Sequence, residues 1–367
     1  MKTNKILRNI IAGLFVMSSV VAFAGNPDRT GQSAAGQLLI NPWGRTAGWG
    51  GVGIAMTTGI EANFSNIAGT AFVKGTELEY TNTRWLVGSD ATINAFGVSQ
   101  NLGNIGVLTL SLATMSVGDI LITTYEQPEG GVGYFKPSMM NINLGYAKSF
   151  SDAIHAGVNF KLISESIADI SATGFAIDAG IQYVSGDDDQ IHFGVTLKNI
   201  GLPMHFSGDG FSVRGVVDNS TVSQSLETRA AEYELPSLLA IGIGYDFYFG
   251  GESTNSFVKK TDKRKDNAMH RITAAASFTS NAFTKDQDTI GAEYGFNQIF
   301  EVRGAYAFES DIFDDDARTN VLTGASFGAS LYVPLGKQTS RQVAIDYSYR
   351  FTDPFDGCHS FGVRIGL

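Results

Sequence analysis

The stretch TGFAIDAGIQYV, residues 173–184, decides the fold, because large apolar residues alternate along it with small or polar ones. One face of such a strand would carry the apolar set, Phe175, Ile177, Ala179, Ile181 and Tyr183. The other face would carry Gly174, Ala176, Asp178, Gly180 and Gln182. This alternation is typical of a membrane β-barrel strand, whose outer face meets lipid while its inner face meets water or a plug. A soluble β-sandwich alternates similarly, so the rest of the chain has to separate the two.

Segments of the same kind recur along the chain from residue 77 to its end, separated by turn residues. We predict strands near residues 76–85, 92–101, 104–116, 139–149, 153–164, 172–184, 190–199, 236–248, 269–279, 288–296, 299–308, 321–333, 341–351 and 359–367. The even number suits a single-chain bacterial barrel. The sequence therefore predicts an all-β fold, a transmembrane antiparallel β-barrel of about 14 strands over residues 76–367.

The lengths of the connections give a second indication. Bacterial barrels have short periplasmic turns and longer extracellular loops, so with both termini in the periplasm the even connections should be short. The even connections NLGN, SFSD and FNQ are short, whereas long odd connections occupy residues 117–138, 200–234 and 309–320. The connection 250–269 is long and basic where a short turn is expected. It is either a disordered periplasmic segment that contacts a partner or a sign that the strand count is wrong nearby.

The N-terminus predicts export. Basic residues precede an apolar run from Ile10 to Ala24 that ends in an A-x-A pattern, the signature of a signal peptide over residues 1–24. The single cysteine, Cys358, has no intrachain partner, so disulfides cannot stabilise the exported chain. A net charge of −10 argues against nucleic acid as a partner, since phosphate binding needs clustered lysine and arginine. We expect the protein in the bacterial outer membrane, in contact with lipid and lipopolysaccharide.

Residues Gly48 to Gly53 read as G-x-G-x-x-G, a pattern shared with dinucleotide sites. Such a site needs a buried strand before the glycines and a helix after them, and here a turn sequence with Pro42 precedes them. Residues 25–75 instead fit a plug, because a barrel of this size is too wide for its own side chains to fill. The predicted plug residues are Asn41, Pro42, Trp43, Gly48, Gly50, Gly51, Gly53, Asn63 and Asn66. A flexible periplasmic arm is the alternative.

Catalytic and metal-binding patterns are not evident, so no cofactor and no enzymatic activity are predicted. The five histidines are scattered without metal-ligand spacing, and neither H-E-x-x-H nor G-x-S-x-G occurs. Charged residues at inward positions of strands are expected to line the lumen: Asp178, Asp246, Glu293, Arg303 and Asp346. Glu293 and Arg303 fall on neighbouring strands and are expected to pair across the sheet or to hold the plug.

Two predicted extracellular loops are candidates for contact with partners. The loop 200–234 is unusually apolar, and exposed apolar patches usually mark interaction sites. We predict that a partner contacts Met204, Phe206, Phe211, Val213, Val216 and Val217. The acidic stretch ESDIFDDDAR is either a solvated loop or a site that bridges lipopolysaccharide through divalent cations or binds basic cargo.

The run GRTAGWGGVGIAMTTGIEANFSNIAGTAFVKGTELEYTNTRWLVG, residues 44–88, resembles the opening of the PorV/PorQ family of Bacteroidetes outer-membrane proteins. Segments such as VTLKNIGLPM and GAEYGFNQIFEVRGAYAF extend the resemblance over nearly the whole mature chain. The family often has asparagine-proline-alanine where this chain has Asn66-Ile67-Ala68. The resemblance implies a fold similar to the fatty-acid channel FadL, and a role in type IX secretion with a translocon or attachment complex and secreted cargo that carries a C-terminal signal domain.

Three functions therefore compete at the level of sequence. The favoured one is a non-enzymatic component of type IX secretion and surface attachment. The alternative is a FadL-like channel for hydrophobic small molecules, with a lateral opening or a kink that we would expect within NIGVLTLSLATMSVG, residues 104–118. The third is a purely structural membrane protein.

Overall fold

The computed structural model describes residues 25–216, 222–253, 263–314, 318, 320–335 and 341–367. In these residues, fourteen antiparallel strands form one closed barrel, each pairing with the next in chain order. They are β1 (Thr76–Trp85), β2 (Ala91–Asn101), β3 (Val107–Ser116), β6 (Ser138–Ser149), β7 (Ile154–Ile167), β8 (Ile170–Ser185), β9 (Ile191–Gly201), β14 (Leu238–Glu252), β15 (Ala268–Asn281), β16 (Gln287–Phe296), β17 (Phe300–Phe308), β18 (Leu322–Pro334), β19 (Gln342–Thr352) and β20 (Cys358–Gly366). The last strand pairs with the first, placing Thr81 opposite Gly362. The predicted all-β class and strand number are confirmed.

The remaining strands form three small hairpins in the loops. They are β4 (Ile120–Ile122) with β5 (Gly133–Phe135), β10 (Met204–His205) with β13 (Glu232–Tyr233), and β11 (Ser212–Val216) with β12 (Ser223–Glu227). Short helical turns occupy Pro27–Arg29, Gly36–Leu39, Gly44–Ala47, Val52–Ile54, Ala62–Ser65, Ile67–Phe72, Gly103–Ile105, Asp209–Phe211 and Arg264–Asn267. Among the described residues, no helix is long and apolar enough to cross a bilayer. The predicted signal peptide and Val217 lie outside the described residues.

The two faces of the barrel wall differ as the alternation predicts. On β8, Phe175 and Ile181 are 64% and 54% exposed on the outside, whereas Asp178 and Gln182 are 2% and 1% exposed on the inside. The outer face is therefore an apolar band suited to lipid, and polar side chains turn into the lumen.

Connections at the two ends of the barrel differ in length. The end that carries the C-terminus has the turns after β2, β6, β8 and β16, all short, while the long loops after β3, β9 and β17 lie at the opposite end, here the loop end. The first described residue, Gly25, also lies at the loop end, since a Cβ there would lie 2.7 Å from the carbonyl oxygen of Thr284 in the connection after β15. The described part of the chain therefore begins and ends at opposite ends of the barrel. The basic connection between β14 and β15 joins neighbouring strands of the barrel and contains the helical turn Arg264–Asn267. Its length therefore does not reflect an error in the strand count.

The kink predicted in residues 104–118 is absent from β3, which keeps an unbroken register with both β2 and β6. Register shifts occur at other pairs of strands. They lie between Ile177 and Ala179 on β8, between Phe249 and Glu252 on β14, and between Leu322 and Ser326 on β18. Small residues in β3 therefore do not bend the wall, because both neighbouring strands hold it straight through complete ladders of hydrogen bonds.

Candidate functional site

Residues 34–75 lie inside the barrel and contact its inner face, whereas residues 26–28 and 30–32 are exposed at the loop end; we call residues 34–75 the plug. At ten inward-facing glycines, a Cβ built on the glycine would lie within 3.6 Å of a plug atom: Gly97, Gly145, Gly157, Gly180, Gly194, Gly242, Gly244, Gly291, Gly328 and Gly362. These glycines lie on nine of the fourteen strands, so the contact extends around the whole wall. Because glycine lacks a side chain, the plug backbone approaches the wall closely and closes the lumen at this level.

The plug glycines named from the sequence have different roles. A Cβ at Gly48 would lie 2.9 Å from the Cα of Gly328 in the wall, so that contact requires a glycine. Gly50 and Gly51 have φ angles of +59° and +99°, which L side chains rarely adopt. Gly53 packs against the plug residues Trp49 and Thr57 rather than against the wall.

Polar side chains fix the turns of the plug. The side chain of Asn41 accepts a hydrogen bond from the backbone N–H of Trp43 at 3.0 Å, next to the buried Pro42. Asn63 donates to the wall hydroxyl of Ser111 at 2.7 Å. Asn66 donates to the carbonyl of Ile54 in the plug at 3.0 Å and to that of Ile181 in the wall at 3.1 Å. These two asparagines connect the plug directly to the wall, whereas Asn41 shapes the plug itself.

A network of charges fills the lumen beside β16 and β17. Glu293 and Arg303 are register partners on these strands, and their side chains are joined by a hydrogen bond of 2.7 Å. Arg303 and Arg271 also contact Glu301. Arg45 enters the network from the plug, 3.7 Å from Glu293 and 3.6 Å from Glu301. The structure thus places Glu293 and Arg303 both across the sheet from each other and beside a plug cation.

The predicted lumen aspartates are all buried, each with different partners. Asp178 contacts Lys161 at 2.6 Å and accepts from the backbone N–H of Asn199 at 2.7 Å. The Asp246 carboxylate accepts a hydrogen bond from the Thr273 hydroxyl, and its Oδ2 lies 3.2 Å from His192 Nε2. Asp346 accepts from Ser330 and lies near Glu61 and Glu79, which sequence reasoning did not assign. Burial raises the pKa of the Glu61 carboxyl, although Arg364 opposes this. The three aspartates therefore link neighbouring strands, and Asp346 also lies beside Glu61 of the plug.

A cavity of about 320 Å³ lies between the plug and the loop end of the barrel. Its floor includes Ile54 and Phe64 of the plug, and its walls include Leu238, Ala240, Ile312 and Leu322. Polar side chains also reach the cavity, among them Lys198, Lys285, Arg350, Glu309, Asn281 and Asn320. The cavity is therefore mainly apolar with several cationic groups around it.

Lys198 is the most deeply buried of the cations that line this cavity. It is 5% exposed, and its Nζ lies 3.7 Å from the ring centroid of Phe64. Among the described residues, no carboxylate oxygen lies within 4.0 Å of this Nζ. Alternation along β9 predicts an inward position for Lys198, but the cation–π contact depends on the folded plug.

The apolar loop is only partly available to a partner. Met204 is 1% exposed and packs into a core cluster with Ile163 and Leu235, and Phe206 packs against the same cluster. The prediction that a partner contacts Met204 is therefore wrong, because the β10–β13 hairpin folds this residue onto the plug and β8. Phe211 is half-buried, whereas Val213 and Val216 on β11 are 52% and 62% exposed.

The acidic loop lies near a cation of its own chain. Asp311 contacts Lys285 at 3.1 Å, while Asp315 and Asp316 lie outside the described residues. At the opposite end, the basic connection between β14 and β15 contacts the turn between β8 and β9. Lys263 and Lys265 lie 2.7 Å and 2.5 Å from Asp189. Desolvation would raise the pKa of Asp189, but the hydrogen bonds from these lysines lower it below its ordinary value.

Several solved structures have a similar fold. The toluene transporter TbuX of Ralstonia pickettii aligns with a TM-score of 0.50 and 10% identity, covering 89% of this chain and 97% of that chain. The toluene transporter TodX of P. putida aligns with a TM-score of 0.51 and 10% identity over the same shares. A FadL homologue of Pseudomonas aeruginosa gives 0.46 and 12%, covering 88% of this chain and 97% of that chain. No protein-family model and no curated protein matches the chain.

The closed barrel with an apolar outer band and a folded plug is of the bacterial outer-membrane class. More particularly, the chain has the FadL-like fold of fourteen strands with an N-terminal segment outside the sheet. The similar structures are described as toluene transporters. At 10% identity they establish the fold alone, and the resemblance to the PorV/PorQ family stays a prediction.

Proposed function

We propose that this protein is a FadL-like outer-membrane channel that admits a hydrophobic small molecule with an acidic head group. The C-terminus lies in the periplasm, and the cavity opens toward the cell surface. The observation that carries the proposal is the cavity of about 320 Å³ above the plug, with Lys198 buried in its wall.

The cavity suits a small apolar ligand. Small-molecule sites are clefts of roughly 300–1,000 Å³ with mainly apolar walls and a few well-placed polar groups. Phe64, Leu238 and Leu322 supply such apolar surfaces, and two solved structures with a similar fold are described as toluene transporters. A hydrocarbon portion would therefore replace water against these side chains with a gain in free energy.

Lys198 gives the expected preference for an acid. A buried cation is costly unless a charge or hydrogen-bonding group compensates it, and in the described residues only the ring of Phe64 and more distant charges do so. A ligand carboxylate would provide a charge-assisted hydrogen bond, which is stronger than a neutral one. We therefore expect acids to bind better than alcohols of the same chain length.

The test compares oleate with oleyl alcohol for binding to the purified barrel. Ala240→Trp fills the cavity and should weaken binding of both probes by about tenfold or more, whereas Ile241→Trp, on the outer face of the same strand, should leave both unchanged. Lys198→Met should remove the preference for oleate and leave the alcohol unaffected. Equal binding of oleate to the wild-type protein and the Ala240→Trp variant would refute the cavity as the site.

A second candidate function is the type IX secretion role, and the β11–β12 hairpin favours it. Val213, Val216 and Val222 are each more than half exposed there. Exposed apolar groups of this kind are suited to a protein partner. A pull-down from detergent-solubilised outer membrane should recover a translocon barrel or proteins that share a C-terminal domain, and a Val213→Ser, Val216→Ser variant should lose them. Recovery that is unchanged in this variant would assign the contact to another surface.

A further inference from the structure

Three carboxylates from three separate elements meet inside the lumen. Glu61 comes from the plug, Glu79 from β1 and Asp346 from β19. One oxygen of each lies within 4.8 Å of one oxygen of each of the others. Their exposed fractions are 0%, 1% and 0%, so water does not screen their mutual repulsion.

Each carboxylate has one oxygen with a partner and one without. Glu61 Oε1 accepts from the backbone N–H of Arg45 at 3.0 Å, Glu79 Oε1 accepts weakly from the Thr81 hydroxyl, and Asp346 Oδ1 accepts from Ser330. Glu61 Oε2, Glu79 Oε2 and Asp346 Oδ2 are buried, and no N–H group or hydroxyl of the described residues donates a hydrogen bond to them; the Glu61 and Glu79 carboxyls lie within hydrogen-bond reach of each other. Arg364 lies 3.8 Å from Asp346 Oδ2, too far for one. Buried carboxylate oxygens without a donor are costly when ionised, which favours a cation bound among them.

The charges of the surrounding network point to the same requirement. Six carboxylates and four guanidinium groups belong to it: Glu61, Glu77, Glu79, Glu293, Glu301 and Asp346, with Arg45, Arg271, Arg303 and Arg364. The four arginines stay charged at any physiological pH. With all carboxylates ionised, two negative charges remain uncompensated, and they fall on the side of the network where the three oxygens lack partners.

We propose that Glu61, Glu79 and Asp346 bind a divalent cation, Ca²⁺ or Mg²⁺, that joins the plug to the barrel wall. Oxygen ligands at about 2.4 Å from one Ca²⁺ ion lie at most roughly 4.8 Å apart, which one oxygen from each of the three carboxylates satisfies. Carboxylates are the ligands that these hard cations prefer, and an ion of charge +2 balances the network. This site is independent of the cavity and of the ligand proposed for it.

The test measures bound metal and thermal stability on the full-length barrel purified in detergent without lipopolysaccharide. After dialysis against Ca²⁺ or Mg²⁺ and removal of the free ion, the wild-type protein should retain about one equivalent by elemental analysis. Chelation with EDTA should lower the midpoint of thermal unfolding, and the added ion should restore it, because a ligand that binds only the folded state stabilises it.

Glu79→Gln should abolish both the retained metal and the effect of EDTA. Glu165→Gln is the matched control, since Glu165 is a buried lumen carboxylate on β7 that lies outside this cluster. Wild-type protein that retains no metal and does not respond to EDTA would overturn the proposal and indicate that protons shared among the carboxylates neutralise them. Loss of the metal effect in both variants would also overturn it, since it would mean that the metal binds elsewhere. Binding of oleate is measured in a separate experiment, so the metal site and the ligand cavity can each be refuted without affecting the other.

Discussion

At position 48, the absence of a side chain sets how closely the plug approaches the wall. The Cα of Gly328 and the carbonyl oxygen of Phe327 would both lie about 3 Å from an added Cβ, and neither is the end of a flexible side chain. We expect Gly48→Ala to lower the free energy of unfolding by about 1–3 kcal/mol through overpacking. The midpoint of thermal unfolding, followed by the shift in gel mobility, measures this.

The matched control is Gly36→Ala, also in the plug, where an added Cβ meets no atom within 4 Å and φ is not positive. This variant should unfold at the wild-type temperature. Equal midpoints for the two alanine variants would show that close approach at Gly48 does not matter for stability.

Arg303 tests the charge network at the scale of one side chain. Its guanidinium is fully buried between Glu293 and Glu301 and also donates to Ser330 at 2.8 Å. Removing one partner from a buried pair leaves an uncompensated charge, so Arg303→Met should cost about 3–5 kcal/mol in the free energy of unfolding. Urea unfolding in detergent micelles measures this value.

A double variant separates the contribution of the Arg303 charge to stability from the contribution of its packing. Adding Glu293→Gln to Arg303→Met should recover part of the loss, because it removes one of the two carboxylates that lose their contact with Arg303. Lys136→Met breaks the exposed pair with Asp119 and should cost no more than about 1 kcal/mol. Additive effects of the two lumen substitutions would mean that Glu293 and Arg303 are not coupled.

At the scale of elements, the strands were predictable because their signal is local. Alternation within β8 or β14 separates lipid-facing from lumen-facing residues without knowledge of the neighbouring strands. The pairing of Glu293 with Arg303 was also accessible, since the two residues lie on adjacent strands joined by a short turn. Such a turn fixes the register of its hairpin.

Contacts of the plug were not predictable in the same way. Arg45, Glu61 and Glu79 meet their partners only after the barrel has closed and the plug has folded inside it. No local sequence pattern indicates which of the fourteen strands a given plug residue contacts. The prediction for Met204 was wrong for a related reason. An apolar residue in a long loop indicates either contact with a partner or burial by its own chain, and here the β10–β13 hairpin buries it.

The basic connection after β14 gives a prediction at this scale. Since Lys263 and Lys265 both contact Asp189, Asp189→Asn should release the connection and speed cleavage by trypsin after these lysines several-fold. Asp187→Asn, an exposed neighbour on the same turn, should leave the rate unchanged. Equal cleavage of all three proteins would show that the contact does not hold the connection.

The same contact has an expected pH dependence. The pKa of Asp189 in the folded protein lies below its ordinary value, so the contact is fully formed above that ordinary value, about 3.8, and is lost as the pH falls through the folded pKa. Resistance to a protease active over this range should therefore stay constant from neutral pH down to about pH 5. Raised salt should reduce it, because the lysines are partly exposed.

At the scale of the whole molecule, the two ends of the barrel assign its orientation. Long loops lie at one end, and the C-terminus with the short turns after β2, β6, β8 and β16 lies at the other, so we expect the loop end to face outside. Because Cys358 is buried and only 2% exposed, the native chain should react poorly with maleimides. Val213→Cys, at the loop end, should be labelled on intact cells by a maleimide that cannot cross the outer membrane. Lys265→Cys, at the opposite end, should react only after the outer membrane is permeabilised. The reverse pattern would place the cavity toward the periplasm, and with it the entry side of the proposed channel.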